Sequence, residues 1–299
     1  MPERMHQDDA LRVAVHKPSH ERLVAAGRLA FHRCPPDPSC LHCRADSAAV
    51  PFDWSFLDAA YCISLQSRDD RAAEAAAEFH RVGLCRIVVF CRPVKEDRTA
   101  KKNIWRSHRF VAQHARGRRA SRVLVMEDDV VFERDLTPAR LAQVAAAMSR
   151  LPRDWRGFYL GHLPVWSYSV APNVVRTSSL CTHAFIAHRR LIRWICKHPP
   201  RLDRNERPTL RERISGAGID AAFATLPGMY AFHPMIAFQR ESPNDHVMRG
   251  YERGEWSRYA LVKPVREYVV THHLRTAERL ARLLSPIARR VVERGAPKA

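Results

Sequence analysis

The run VLVMEDDVVF, residues 123–132, sets Glu127, Asp128 and Asp129 side by side in an otherwise apolar stretch. Flanks of this kind read as a buried strand, where adjacent anions repel one another and lose solvation. Successive strand residues point to opposite faces, so Glu127 and Asp129 are expected to converge while Asp128 points elsewhere. Two converging carboxylates tolerate each other when a hard divalent cation lies beside them. Mg²⁺ or Mn²⁺ takes oxygen ligands, keeps several waters and stabilises the charge developing on a departing diphosphate. Taken alone, the tripeptide reads equally well as a solvated acidic turn.

Other residues carry weaker signals. Arg68 and Arg71 follow an apolar run, where guanidinium forks suit nucleotide phosphates and where a solvated helix start is the plain alternative. Cys34, Cys40 and Cys43, with His32 and His42 nearby, contain a C-x2-C pair and offer a tetrahedral set for structural Zn²⁺. There is no second pair at standard spacing, so reduced cysteines in a Pro-rich loop are the alternative.

Positioning these residues requires a scaffold, and the hydrophobic pattern supplies one. Residues 1–55 read as an irregular extension containing the Cys/His cluster. From Ala59 onward strands and helices alternate. YCISL (61–65), RIVVF (86–90) and SRVLVM (121–126) read as strands, and 71–84, 101–116 and 136–151 as helices. Gly83 stops the first helix, while Thr137 caps the third with Pro138 at its first position. This order predicts an α/β fold with a mainly parallel, doubly wound sheet over residues 56–250. In such a sheet ligands bind beyond the carboxyl ends of the strands, where the acids following VLVM lie.

In their order, several segments resemble glycosyltransferase family 25, the lipopolysaccharide and collagen galactosyltransferase group. They are YCISLQSRDDR, the Ser107–His108 pair in a helix, MEDD, FYLG, THAFIAHRRLI, GID and HPMIAFQRES, spanning about residues 59–246. The chain departs from the family pattern in CISL for INL, in the residues before Ser107, and in VVFCRPV after the second strand.

The resemblance implies a GT-A type, Rossmann-like glycosyltransferase fold, a nucleotide-sugar donor, a saccharide or lipid-linked saccharide acceptor, and a divalent metal, commonly Mn²⁺. By position Glu127 and Asp129 form the metal and diphosphate motif, with His246 as a further ligand. Arg68, Arg71, Ser107, His108 and Asp128 fall to the donor, and Gln239, Ser242 and Asp245 to acceptor or donor contacts. Asp220, before a helix in the family pattern, reads either as the base that takes the acceptor's proton or as a helix cap.

The chain of 299 residues carries 50 Lys and Arg against 31 Asp and Glu, a formal charge of +19 that favours an anionic partner. The excess is spread along the chain, which argues against nucleic acid. No stretch approaches the roughly 20 apolar residues of a membrane span, and the first residues lack a signal-peptide core. Scattered cysteines suit a reducing, cytoplasmic setting. Residues 251–299 form a basic tail whose apolar residues recur at helical spacing. It suits peripheral contact with an anionic membrane or packing on its own domain. Two rival readings are a non-catalytic basic protein binding nucleic acid or anionic lipid, with a zinc-clipped N-terminus, and a metal-dependent phosphoesterase. The second would need a further His/Asp array.

Overall fold

A computed structural model describes residues 20–44, 51–95, 100–198 and 218–240. The C-terminal tail, His246, Ser242 and Asp245 lie outside the described residues. A seven-stranded sheet with strand order β1-β3-β2-β4-β7-β6-β8 organises the chain. Within it β2 (Ala59–Ile63) is flanked in parallel by β3 (Val88–Pro93) and β4 (Arg122–Glu127), the central strand. Helix α3 (Asp69–Arg81) connects β2 to β3, and α4 (Ala100–Gly117) carries the chain back past β2 to β4. The first connection steps from β2 to one neighbour and the second crosses back over β2 to the other, so the strand order reverses there. The gap between the ends of β2 and β4 is therefore a topological switch point, as the alternating pattern predicts.

The sheet is mixed, which corrects the expectation of a mainly parallel one. Beyond β4 lies the hairpin of β6 (Gly157–Ala171) and β7 (Val174–His188), with β7 antiparallel to β4. Pro172 and Asn173 close it in two residues, and Asn173 adopts φ +61°, a conformation that Asn tolerates well. A two-residue link forces neighbouring strands antiparallel, because a parallel return needs a crossover of a dozen residues or more. Strand β8 (Met229–Phe232) completes that side, parallel to β6. At the far edge β1 (Leu29–Arg33) pairs antiparallel with β3, so part of the segment expected to be irregular is built into the sheet. Leu29 there is fully buried.

Alternation along the central strands builds two apolar layers. Ala60 and Cys62 of β2 and Leu124 and Met126 of β4 face α3 and α5 (Pro138–Ser149). Tyr61, Val123 and Val125 face α4, α6 (Arg189–Lys197) and the short α7 (Ile219–Ala224). Helix α3 contributes Ala72, Ala75, Ala76 and Phe79 at the spacing of one helical face, and α4 contributes a broader arc of Phe110, Val111, Ala112 and Ala115. Thr137 caps α5 as expected, its hydroxyl accepting from the Arg140 N–H at 3.1 Å. No helix among the described residues is long and apolar enough to cross a membrane.

A second, two-stranded sheet pairs β5 (Val130–Phe132) with β9 (Ala237–Gln239). Gly161 of β6 lies where β9 crosses: a side chain there would collide with the Ala237 carbonyl and with His183. This close approach carries β9, and Gln239 with it, to the mouth of the switch point.

Candidate functional site

A cleft of about 140 Å³ opens at the carboxyl ends of β2 and β4. Glu127, Asp128 and Asp129 line it together with Arg68, Arg71, Lys95, Asn103, Ser107, His108 and Gln239. Strand alternation explains how the acids diverge. Met126 faces the α3 layer, so Glu127 turns toward α4 and Asp128 toward α3. The strand ends at Glu127, and Asp129 sits in the turn leading to β5. All three reach the cleft because it lies beyond the sheet's edge, open to both faces. Asp128 thus does not point away from its neighbours' site, as simple alternation suggested.

Each acid has its own environment. Glu127 accepts a hydrogen bond from Thr182 Oγ1 at 2.8 Å, and its Oε1 lies 3.7 Å from His108 Nε2, an ion-pair distance. Burial works to raise the Glu127 carboxyl, but His108, Thr182 and the nearby His183 outweigh it and hold the pKa below the ordinary value. Asp128 faces Arg71 Nη1 at 3.4 Å. Its pKa is raised, mainly by burial, with Ser64 and Arg71 opposing. Asp129 is pushed up to about 7 by burial and by the charges of Glu127 and Asp128. Its Oδ1 is buried and accepts no hydrogen bond among the described residues. An orphaned buried carboxylate oxygen beside two further acids is the environment a divalent cation relieves.

The opposite lining is basic. Arg68 opens α3 and holds Asp70 through Nε and Nη2, at 3.0 and 2.8 Å. Arg92 braces this helix start, donating to Asp69 Oδ1 at 2.6 Å and to the Gln66 carbonyl at 3.0 Å. Arg71 comes one turn into α3, and Lys95 follows β3. Acids and cations lining one cleft suit a metal–diphosphate pair, which the carboxylates would hold through the metal and the guanidinium groups through the phosphates.

Helix α4 supplies the remaining lining. Asn103, Ile104, Ser107 and His108, two adjacent pairs one helical turn apart, share one face. Ser107, expected to position a donor, spends its hydroxyl on the Asn103 carbonyl at 2.8 Å. His108 is buried at 2% exposure, its ring 5.7 Å from that of Phe185. It sits against Glu127, where it supports the acid.

The other expected residues divide. Gln239 reaches the cleft through β9, and the Arg240 N–H donates to the Asp129 carbonyl, which ties the acidic turn to that strand. Asp220 is absent from the lining and stands in the first turn of α7, where Gly218 is the cap residue. Its carboxylate folds back over Gly218, and its charge, after burial, raises the pKa of the Tyr159 phenol. Cys34 is buried in the apolar layer beside α3, near Cys40 but outside the group that Cys40 and Cys43 form with His80 and Cys85. Sequence reasoning passed over Lys95, Asn103 and Thr182. Thr182 lies in THAF, a quoted segment, but only the pairing of β7 with β4 brings it against Glu127.

No protein-family model matches the chain, and no curated protein matches it. Among solved structures it is similar to a glycosyltransferase involved in the glycosylation of the major capsid of PBCV-1. That likeness has 9% identity and a TM-score of 0.35, covering 62% of this chain and 96% of that one. It is also similar to A197 from STIV, at 13% identity and a TM-score of 0.35, covering 65% and 98%. Likenesses this distant carry no functional weight.

Proposed function

We propose that this protein is a divalent-metal-dependent glycosyltransferase that moves a hexose, galactose foremost, from a nucleoside-diphosphate sugar to a saccharide hydroxyl. The observation that carries this reading is the buried Asp129 Oδ1, without a hydrogen-bond partner among the described residues and set with Glu127 and Asp128 in the same cleft as Arg68, Arg71 and Lys95. The reading also draws on the order of segments that resembles family 25.

Asp129 and Glu127 would hold Mn²⁺ or Mg²⁺, with Asp128 completing the acidic set. When bound, the metal neutralises charge on the departing diphosphate. Arg68, Arg71 and Lys95 hold the phosphates against the acids and fix the donor's orientation, so that binding becomes alignment. Thr182 and His108 keep Glu127 ionised and directed into the cleft. The acceptor's proton needs a base. Asp220 is the candidate, and it must be brought toward the donor because α7 stands outside the cleft lining. The charge of +19 suits a saccharide presented on a lipid carrier at the anionic cytoplasmic face of a membrane.

The test is a thermal-shift screen of nucleoside-diphosphate sugars with and without Mn²⁺, followed by an assay of diphosphate release with the best binder. Stabilisation that needs both metal and donor, and is lost in Asp129→Asn, is expected. Full turnover in excess chelator, or in Asp129→Asn, overturns the metal role.

A further inference from the structure

Far from the cleft, at the other end of α3, four side chains from two separate stretches of chain converge. Cys40 and Cys43 flank the start of α2 (Leu41–Arg44), His80 lies in the last turn of α3, and Cys85 lies in the 3-10 turn Leu84–Arg86. Their sulfur and ring-nitrogen atoms all lie within 4.8 Å of one another. Cys43 Sγ is 3.5 Å from His80 Nδ1 and 3.7 Å from Cys85 Sγ, and Cys40 Sγ is 3.9 Å from Cys85 Sγ.

These separations match one geometry. Zinc–sulfur bonds of 2.3 Å and a zinc–nitrogen bond near 2.05 Å, at tetrahedral angles, imply S···S edges of about 3.8 Å and an S···N edge of about 3.6 Å. A disulfide would need sulfurs about 2.05 Å apart, and the cysteines here are free. Apolar packing accounts for Cys40 and Cys85, which are buried, but not for Cys43, which is exposed, or His80, which is half-buried. The backbone is shaped to make the group. Asp37 accepts from the N–H and hydroxyl of Ser39, setting the turn that presents Cys40, and Cys43 follows one helical turn later. Gly83, at φ +72°, takes the left-handed conformation that ends α3 and swings Cys85 back beneath His80.

We propose that Cys40, Cys43, His80 and Cys85 form a structural zinc site that clips the N-terminal segment to the carboxyl end of α3. The set is complete at four protein ligands, with no open position for chemistry. Each thiol releases its proton to solvent as the thiolate binds, and His80 binds as the neutral imidazole through Nδ1. This replaces the sequence-based trio: Cys34 leaves the set, and His80 and Cys85 enter it. The clip fixes α2 after β1, the edge strand of the sheet, and anchors the helix whose other end carries Arg68 and Arg71. It is independent of the metal proposed for the cleft.

The experiment uses the full chain, purified in reductant without chelator and analysed for metals. Zinc at one ion per chain is expected to survive dialysis and to be released when the thiols are modified. Cys43→Ser, a surface change, lowers retained zinc at least about tenfold, whereas Cys34→Ser keeps it. Equal zinc in Cys43→Ser and the parent protein overturns the site, as does failure of the parent chain to bind added zinc against a chromogenic chelator. Should Cys43→Ser not fold, cobalt in the parent chain decides. Thiolate-to-cobalt charge transfer with tetrahedral visible bands supports the site, and a weak octahedral spectrum overturns it. Asp129→Asn, which alters only the cleft, retains its zinc.

Discussion

Arg71 of α3 stands with Nη1 3.4 Å from Asp128 Oδ1, the two side chains 10% and 11% exposed. The pair joins the helix after β2 to the acidic turn after β4, across the switch point where the cleft opens. Removing one member of such a pair leaves a buried charge unmatched. Arg71→Leu is therefore expected to lower stability by about 3 kcal/mol in urea unfolding. Asp128→Asn costs less, since burial already raises that carboxyl, and Arg71→Leu/Asp128→Asn recovers part of the loss. Equal losses for the two single changes would contradict this account.

Glu78 plays a comparable part further along α3. Its Oε1 accepts from the Phe132 N–H at 2.6 Å and from Arg81 Nη2 at 2.7 Å, while Arg81 also donates to the carbonyls of Phe132, Glu133 and Arg134. Glu78→Ala leaves a buried N–H unsatisfied and takes the carboxylate partner from Arg81. We expect a loss of about 3 kcal/mol, with faster amide exchange concentrated in β5 and β9. Exchange that rises evenly over the sheet would argue that the residue does not serve this strand pair.

Thr182 is expected to act through Glu127. Thr182→Val keeps shape and removes one hydrogen bond to the acid, so Mn²⁺ affinity should fall roughly tenfold by calorimetric titration. The melting temperature should change little. Unchanged affinity would separate Thr182 from the metal site.

His188 predicts a pH dependence. Its side chain caps α6 by accepting from the Arg190 N–H at 3.4 Å, which requires a neutral ring. Burial, followed by the charges of Arg190, Arg189 and Arg193, lowers its pKa from 6.5 to about 4. The unfolded chain binds this proton first, so the contribution to stability is fully present above about 6.5 and is lost as pH falls toward about 4. His188→Asn retains a capping side chain without titrating. Its melting temperature should fall less steeply than the parent's across that window, and parallel curves would remove His188 as the cause.

The sequence by itself determined what is local. The apolar run before Glu127 made β4, the spacing of Ala72, Ala75, Ala76 and Phe79 made a face of α3, and Thr137 with Pro138 opened α5. The alternation of these elements also placed the acids at a strand's carboxyl end, beside Arg68 and Arg71. Such features are set by neighbours within a few residues, through side-chain period and backbone preference. Tertiary structure alone decided which distant residues meet. A strand buried on both faces reads the same whether its neighbour runs parallel or antiparallel, so β7 beside β4, and Thr182 against Glu127, could not be seen. The turn after Glu127 likewise overrode strict alternation and gave all three acids to one cleft. Cys40 and Cys43 announced half of the four-residue Cys/His group at a spacing of three. His80 and Cys85 join them only because α3 returns to the N-terminal segment, a contact fixed by packing across some 40 residues.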